Sequence, residues 1–183
     1  GVNAALDRVA DHLGRDDGGQ LSCWRVRLVF GVEELQRDQS IPLLIGWLNQ
    51  LGFRGRQFKE VLLIVSELFN NALDHGVLGL DSGMKDQPDG YERYFMLRRE
   101  RLAELERAEI ELVLERRREN GGDAVLIRLR DSGTGFDYPA LMEKLNRQAG
   151  SHRHGRGVSL VNALCARLAY HGRGNEVEAE FRL

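Results

Sequence analysis

One helix constrains the fold of this chain more than any other feature of its sequence. Between residues 57 and 75 apolar side chains recur at helical spacing, namely at Val61, Leu62, Val65, Leu68, Phe69, Ala72 and Leu73. Glu67 and Asn71 stand four residues apart on this helix, with Asp74 and His75 one turn further on, so the four side chains form one polar line. Buried carboxylates are costly to desolvate. Either an internal network satisfies these groups, or they face a site that is open to water and ligand.

Alternating apolar residues predict the strands around this helix. They indicate a strand over residues 21–30, a hairpin that joins residues 110–114 to 125–129 through the turn at 120–123, and a closing strand over 177–183. Capping residues, glycines and apolar spacing predict helices over residues 40–52, 57–75, 91–107 and 158–168, of which Gly76 stops the second.

Residues 78–107 look like an insertion. Their first part is rich in Gly, Asp and Pro, and a charged helix follows. That helix carries a narrow stripe of Tyr94, Phe95, Leu102 and Leu105, which we expect to cover the edge of the core.

Two glycine-containing segments complete the set of candidate site residues. Asp131 ends a strand and begins Asp-Ser-Gly-Thr-Gly, whose Gly133 and Gly135 let the backbone turn sharply and approach a ligand, although strand-end turns favour Asp and Gly for local reasons too. The segment Gly155-Arg156-Gly157 opens a helix with bare backbone N–H groups, which suits an anion. The basic residues around it are also compatible with a solvated loop; they are Arg147, His152, Arg153, His154 and Arg156.

Length and composition indicate one folded domain. The chain has 183 residues, 42% of them hydrophobic and 30% charged, and no apolar run approaches the length of a bilayer span, so we expect no membrane association. The 26 Lys and Arg nearly balance the 28 Asp and Glu, which gives no general attraction for nucleic acid. Cys23 and Cys165 lie in apolar contexts without metal-ligand spacing, so we expect reduced core thiols and a cytoplasmic location.

The domain is expected to span residues 21–183. Residues 1–20 combine a short helix-like piece with a polar glycine cluster, which is typical of a linker or of the tail of a preceding domain. Together with the start at Gly1, this indicates a fragment of a longer multidomain regulator.

The order and spacing of the three motifs resemble a known superfamily. Residues 67–75 look like an N box, Asp131 to Gly135 like a first glycine box and residues 155–157 like a second, which is the pattern of the GHKL, or Bergerat, ATPases and kinases. The resemblance implies a two-layer α/β sandwich, with a mixed, largely antiparallel sheet covered by helices on one face. It covers about residues 21–183. The short loop between the glycine boxes, Glu67 and His75 make the chain most similar to the bacterial anti-sigma factor serine/threonine kinases.

The resemblance also implies a role for each site residue. Glu67 corresponds to the general base, and Asn71 to the residue that holds Mg²⁺ on the triphosphate of ATP. Asp131 corresponds to the residue that binds the adenine amine, with Gly133 and Gly135 shaping the base pocket. The phosphates would be lined by Gly155, Arg156 and Gly157.

Three functions remain open at this level. The resemblance favours a kinase that phosphorylates a STAS-domain anti-anti-sigma protein in a partner-switching pathway, with a sigma factor as a further possible partner and a homodimer as a possible assembly. A module that binds a sigma factor or an antagonist and uses ATP only as a conformational ligand is the alternative, and a plain ATP hydrolase is the third. Sensor histidine kinases fit less well, because they usually have Asn at the position of Glu67 and need a phosphoacceptor His. For His75 a structural hydrogen bond or a supporting role is expected.

Overall fold

An antiparallel sheet forms the base of the domain. The computed structural model describes residues 14–15, 21–37, 40–119, 122–136, 138 and 156–183. Within them the sheet has six strands in the order β1-β2-β3-β4-β6-β5. The strands are β1 Gly14–Arg15, β2 Leu21–Phe30, β3 Ile110–Glu119, β4 Gly122–Asp131, β5 Arg167–His171 and β6 Glu176–Arg182. Each of these strand pairs is antiparallel, so the parallel pairing implied by a mixed sheet is not found in the described part of the chain.

Helices cover one face of this sheet. They are α1 Val32–Gln36, α2 Ser40–Gln50, α3 Gly55–Asn71, α4 Gly90–Ala103 and α5 Arg156–Leu164. A π-helical turn, Ala72–Val77, continues α3 directly, and a 3-10 helix, Ser82–Asp86, precedes α4. No helix in the described segments combines the length and the apolar character needed to cross a bilayer.

The alternation of side chains explains why only one face is covered. The apolar positions of the strands point into the core beneath the helices, as at Ile110, Leu112, Leu114, Val125, Ile127, Leu129, Val177 and Phe181. The opposite face carries ion pairs between neighbouring strands, among them Arg27 with Glu111, and Arg128 with Glu178. The predicted two-layer α/β sandwich is thereby confirmed.

Several local predictions were wrong. The helix expected over residues 158–168 ends at Leu164, and residues 167–171 instead form β5 at the edge of the sheet. Pairing with β6 overrides the helical pattern there, because the edge of the sheet offers a full set of backbone hydrogen bonds. The short helix α1 was not predicted. Cys23 is exposed rather than part of the core, whereas Cys165 is partly buried, and burial raises the pKa of its thiol to about 11.

The segment predicted as an insertion packs onto the end of α3. Tyr94 and Leu102 are buried, as the stripe on α4 predicts, but Phe95 is 59% exposed and does not belong to the core. Gln36 of α1 fixes the end of α4, since its side-chain amide donates to the carbonyl oxygens of Leu102, Ala103 and Leu105.

Asp74 is the main polar contact between α4 and the π-helical turn. Its carboxylate accepts a hydrogen bond from the Tyr94 hydroxyl at 2.8 Å and one from Arg98 Nε at 2.8 Å. Arg101 donates to the carbonyl oxygens of Leu78 and Gly79, which follow the turn. Side chains from three turns of α4 therefore hold the end of the helix on which Glu67 and Asn71 lie.

We expect Tyr94→Phe to lower the free energy of unfolding by about 1 to 2 kcal/mol, because it removes the hydroxyl that donates to a partly buried carboxylate. Burial and the Asp74 bond both raise the pKa of Tyr94, so the hydroxyl is protonated at neutral pH. Urea denaturation measures the change. A free energy of unfolding equal to that of the wild type would contradict this account.

Candidate functional site

Glu67 and Asn71 lie on the side of α3 that faces a cleft and helix α5. The opposite side of α3 fills the core through Val61, Ile64, Val65, Leu68 and Phe69. A Cβ at Gly157, the second residue of α5, would overlap the Glu67 carboxylate, so the start of α5 lies directly against that side chain. One turn further along α3, Asn71 lines the cleft.

The predicted polar line divides after Asn71. The π-helical turn places an extra residue in the repeat, as the bond from Leu78 N–H to the Leu73 carbonyl shows, and this changes the direction of the next side chains. Asp74 binds α4, and His75 Nδ1 lies 2.6 Å from the Leu80 carbonyl oxygen. The structural hydrogen bond expected for His75 is confirmed. The first half of the line therefore belongs to a cleft and the second half to an internal network.

Asp131 is a buried carboxylate at the end of β4. It is 6% exposed, and Oδ1 accepts a hydrogen bond from the Gly133 N–H at 2.8 Å. A Cβ at Gly76 would come within 2.5 Å of Asp131 Oδ1, so the π-helical turn packs on the carboxylate. Burial raises the pKa of Asp131 to about 6, although the Gly133 bond opposes this rise. At neutral pH the group is therefore mostly ionised and able to accept a hydrogen bond.

The glycines after Asp131 permit close backbone packing, as their spacing predicts. A Cβ at Gly133 would overlap the Gly76 carbonyl, and one at Gly135, where φ is +81°, would overlap the Arg173 carbonyl. Phe136 N–H donates to that same carbonyl at 2.9 Å. A Cβ at Gly174, where φ is +88°, would overlap the Phe136 carbonyl in the same way. The loop after β4 and the turn between β5 and β6 therefore form one packed wall.

These elements enclose a cleft that is partly open to solvent. Its helical side is formed by Leu68, Asn71 and Ala72, and its sheet side includes Leu129, Asp131, Tyr170 and Val177. Two of the predicted site residues, Asn71 and Asp131, thus come together in one cavity.

Two polar atoms of this cleft are buried without a partner. Among the described residues, Asn71 Nδ2 and the Tyr170 hydroxyl have no hydrogen-bond partner; both atoms have almost no exposed surface, and both residues line the cleft. An unsatisfied buried polar group costs about 1 to 3 kcal/mol, which a polar ligand would recover. A half-turn of the Asn71 amide exchanges its nitrogen and oxygen, so the same position can present an oxygen to a cation. The described residues contain no group of three or more His, Cys, Asp or Glu side chains that could hold a metal ion.

The second glycine box is described only in part. Arg156 is the first residue of α5, and Gly157 packs on Glu67. Gly155, together with the basic residues at 147 and 152–154, lies outside the described residues.

The sequence did not identify four residues of the site. Gly76 was interpreted as a helix stop, although its missing side chain makes room for Asp131. Gly174 and Asn175 were not singled out, although the side chain of Asn175 donates to the Asp131 carbonyl oxygen at 3.1 Å. Tyr170 had no recognisable signal, because its strand was not predicted and the first residues of that strand were assigned to the helix over 158–168.

The fold and the cleft define a class of protein. An open antiparallel sheet is covered on one face, and a helix and a strand end place an amide and a buried carboxylate in one cleft between the two layers. The chain belongs to the histidine kinase-like ATPase domain family, whose model matches residues 43–181. This confirms the resemblance at the level of the superfamily and makes ATP the expected ligand. No curated protein matches the chain significantly.

We expect Asp131→Asn to change how stability depends on pH. Unfolded Asp loses its proton near pH 4 and folded Asp131 near pH 6, so the folded state holds the extra proton between these values and the wild type loses stability as pH rises through that window. The variant lacks this titration. Allowing for solvent screening, its stability relative to wild type should rise by about 1 to 2 kcal/mol from pH 4 to pH 7.

Urea denaturation of both proteins at several pH values tests this. Glu60→Gln serves as the control for removing one acidic group, because Glu60 forms an i,i+4 pair with Arg56 away from the cleft. A difference between the Asp131 variant and the wild type that stays constant with pH would contradict the assignment.

Proposed function

We propose that this domain is an ATP-dependent protein serine/threonine kinase whose acceptor is a STAS-domain anti-anti-sigma protein. The observation that carries the proposal is the position of Glu67. Its carboxylate lies against Gly157 at the start of α5 and one helical turn from Asn71, while Asn71 shares a cleft with Asp131. The proposed general base Glu67, the amide of Asn71 and the carboxylate of Asp131, which would recognise adenine, thus follow one another from α5 to the sheet.

The nucleotide end of the site fits adenine. The Asp131 carboxylate is buried, is held by Gly133 N–H and is ionised at neutral pH, so it can accept a hydrogen bond from an exocyclic amine. Leu68, Ala72, Leu129 and Val177 supply the apolar surface that a flat aromatic ring needs.

The phosphate end fits a triphosphate with a divalent cation. Backbone N–H groups in the first turn of α5 are free of intrahelical partners and favour an anion. The Asn71 amide is suited to bind Mg²⁺, a hard cation that prefers oxygen ligands and retains several waters. The buried, unpartnered end of that amide is its nitrogen, and a half-turn of the group would place the oxygen there instead, which supports this assignment. Bound Mg²⁺ would neutralise charge on the phosphate oxygens during transfer.

Glu67 is placed to act as the general base. As the acceptor hydroxyl oxygen bonds to the γ-phosphorus, the bond from that phosphorus to the bridging oxygen breaks and ADP leaves, and the Glu67 carboxylate takes the hydroxyl proton. The absence of a side chain at Gly157 lets this carboxylate lie directly against the start of α5. The site then needs only an acceptor whose hydroxyl reaches Glu67.

The nature of the acceptor rests on the sequence resemblance. A Glu at the start of the N box and a short loop between the glycine boxes are typical of kinases that act in partner switching, where the substrate is a STAS-domain protein and a sigma factor is a second partner. A non-catalytic module that responds to ATP is the alternative. It leaves the position of Glu67 beside Gly157 without a use.

We expect Glu67→Gln and Asp131→Asn to separate catalysis from binding. Glu67→Gln keeps the size and polarity of the side chain but removes the base, so phosphotransfer should fall about 10²- to 10⁴-fold while the Kd for Mg²⁺-ATP stays within about threefold. Asp131→Asn should weaken ATP binding about 10- to 100-fold, because it removes a charged acceptor. Calorimetric titration of ATP with and without Mg²⁺, followed by label transfer to a panel of STAS proteins, measures both. Glu60→Gln makes the same chemical change two turns earlier on α3 and should alter neither.

Each of the other outcomes points to a different function. Normal label transfer by Glu67→Gln would show that Glu67 is not the base. ATP binding by the wild type without transfer to any STAS protein would favour the binding module, and steady ATP hydrolysis without an acceptor would favour a hydrolase. No binding of ATP by the wild type would refute all three.

A further inference from the structure

The hydroxyl of Tyr170 is a buried polar group that none of the roles described so far uses. Tyr170 is 9% exposed, and its hydroxyl oxygen has no hydrogen-bond partner. The residue lines the same cleft as Asp131 and Asn71. Folding therefore places a hydrogen-bonding group in the cleft at a cost that nothing in the described protein offsets.

The strand register places Tyr170 on the same face of the sheet as Asp131. Leu129 of β4 is paired with Val177 of β6, which is paired with Tyr170 of β5, so the three residues form one row across the sheet. Asp131 is the next residue of β4 on the same face. Asp131 and Tyr170 both line the cleft, so one bound ligand can contact both side chains.

The ring of Tyr170 is held in place by two neighbouring aromatic rings. Phe136 packs against it edge-on, with ring centroids 5.5 Å apart, and Tyr138 stacks on it at 5.9 Å. Phe136 also lines the cleft. Burial raises the pKa of Tyr170 to about 12, which keeps the hydroxyl protonated at neutral pH. The protein thus presents a fixed O–H donor to the cleft.

A carboxylate alone does not select adenine. It accepts hydrogen bonds from the exocyclic amine of adenine, and equally from the ring N–H and exocyclic amine of guanine. Selection needs a second group, a donor directed at N1, which is an acceptor in adenine and carries a hydrogen in guanine. N3 and N7 are acceptors in both bases and do not distinguish them. We propose that the Tyr170 hydroxyl donates a hydrogen bond to N1 of adenine and so determines the specificity of the site for ATP, an inference that rests on the proposed function.

The test uses Tyr170→Phe, which removes only the hydroxyl. ATP should bind about three- to tenfold more weakly to the variant. GTP binding should change by less than about twofold, so the preference for ATP falls by the same factor as the affinity. Tyr138→Phe is the matched control, since its ring stacks on Tyr170 but is not part of the cleft lining, and both affinities should stay within about twofold of wild type.

Three ATP analogues test the choice of N1. 1-Deaza-, 3-deaza- and 7-deaza-ATP each replace one ring nitrogen by C–H and keep the exocyclic amine. 1-Deaza-ATP should bind the wild type about three- to tenfold more weakly than ATP does and should bind Tyr170→Phe as well as ATP does. That coupling between a single atom of the protein and a single atom of the ligand does not arise from a structural role. Coupling of Tyr170 to N3 or N7 instead of N1 would overturn the proposed role in specificity.

Thermal unfolding of the free proteins provides the independent readout. Loss of an unsatisfied buried hydroxyl should leave the melting temperature of Tyr170→Phe equal to or above that of the wild type. A lowered melting temperature, with equal losses for ATP, GTP and all three analogues, would assign Tyr170 a structural role and overturn the proposal. ATP binding by the variant within twofold of wild type would overturn it as well, while leaving the kinase proposal intact. A wild type that binds no ATP would instead remove the proposed function itself.

Discussion

The close contact between the end of β4 and the π-helical turn after α3 is the constraint on which the site depends. Gly76 and Gly133 meet there without side chains, and the Asp131 carboxylate fills the remaining space. A methyl group at either glycine would separate the two layers at this point. Because Asn71 lies just before the turn and Asp131 just before Gly133, the width of the cleft between them is set by this one contact.

The segment predicted as an insertion supports that contact from outside. The π-helical turn contains the i to i+5 hydrogen bond from the Leu78 N–H to the Leu73 carbonyl. Arg101 donates to the carbonyl oxygens of Leu78 and Gly79 just after the turn, and Tyr94 and Arg98 bind the Asp74 carboxylate within it. Helix α4 thus stabilises an irregular backbone segment next to the site.

Hydrophobic period and turn chemistry predicted most of the fold. The hairpin of β3 and β4 was recognisable because apolar and polar residues alternate on both sides of a glycine turn, a pattern that few other structures produce. Helix α3 was recognisable because its apolar face repeats over four turns. The motifs gave Glu67, Asn71, Asp131 and Gly133 as candidate site residues, and their roles stay predictions. Strand β5 was not predicted, because residues 165–168 continue the apolar pattern of α5. Only the pairing of residues 167–171 with the edge of β6 places them in the sheet.

The role of Gly76 and the unpaired state of Tyr170 were beyond prediction for a related reason. Both depend on what lies opposite in space rather than on neighbours along the chain, and Tyr170 is separated from Asp131 by 39 residues of sequence. The polar groups on the two faces of the sheet differ in this respect. On the open face Arg27 is paired with Glu111, and Arg128 with Glu178, and such exposed pairs contribute little to stability. In the cleft the Asn71 amide nitrogen and the Tyr170 hydroxyl are buried and have no partner among the described residues, so a polar ligand would complete their hydrogen bonds.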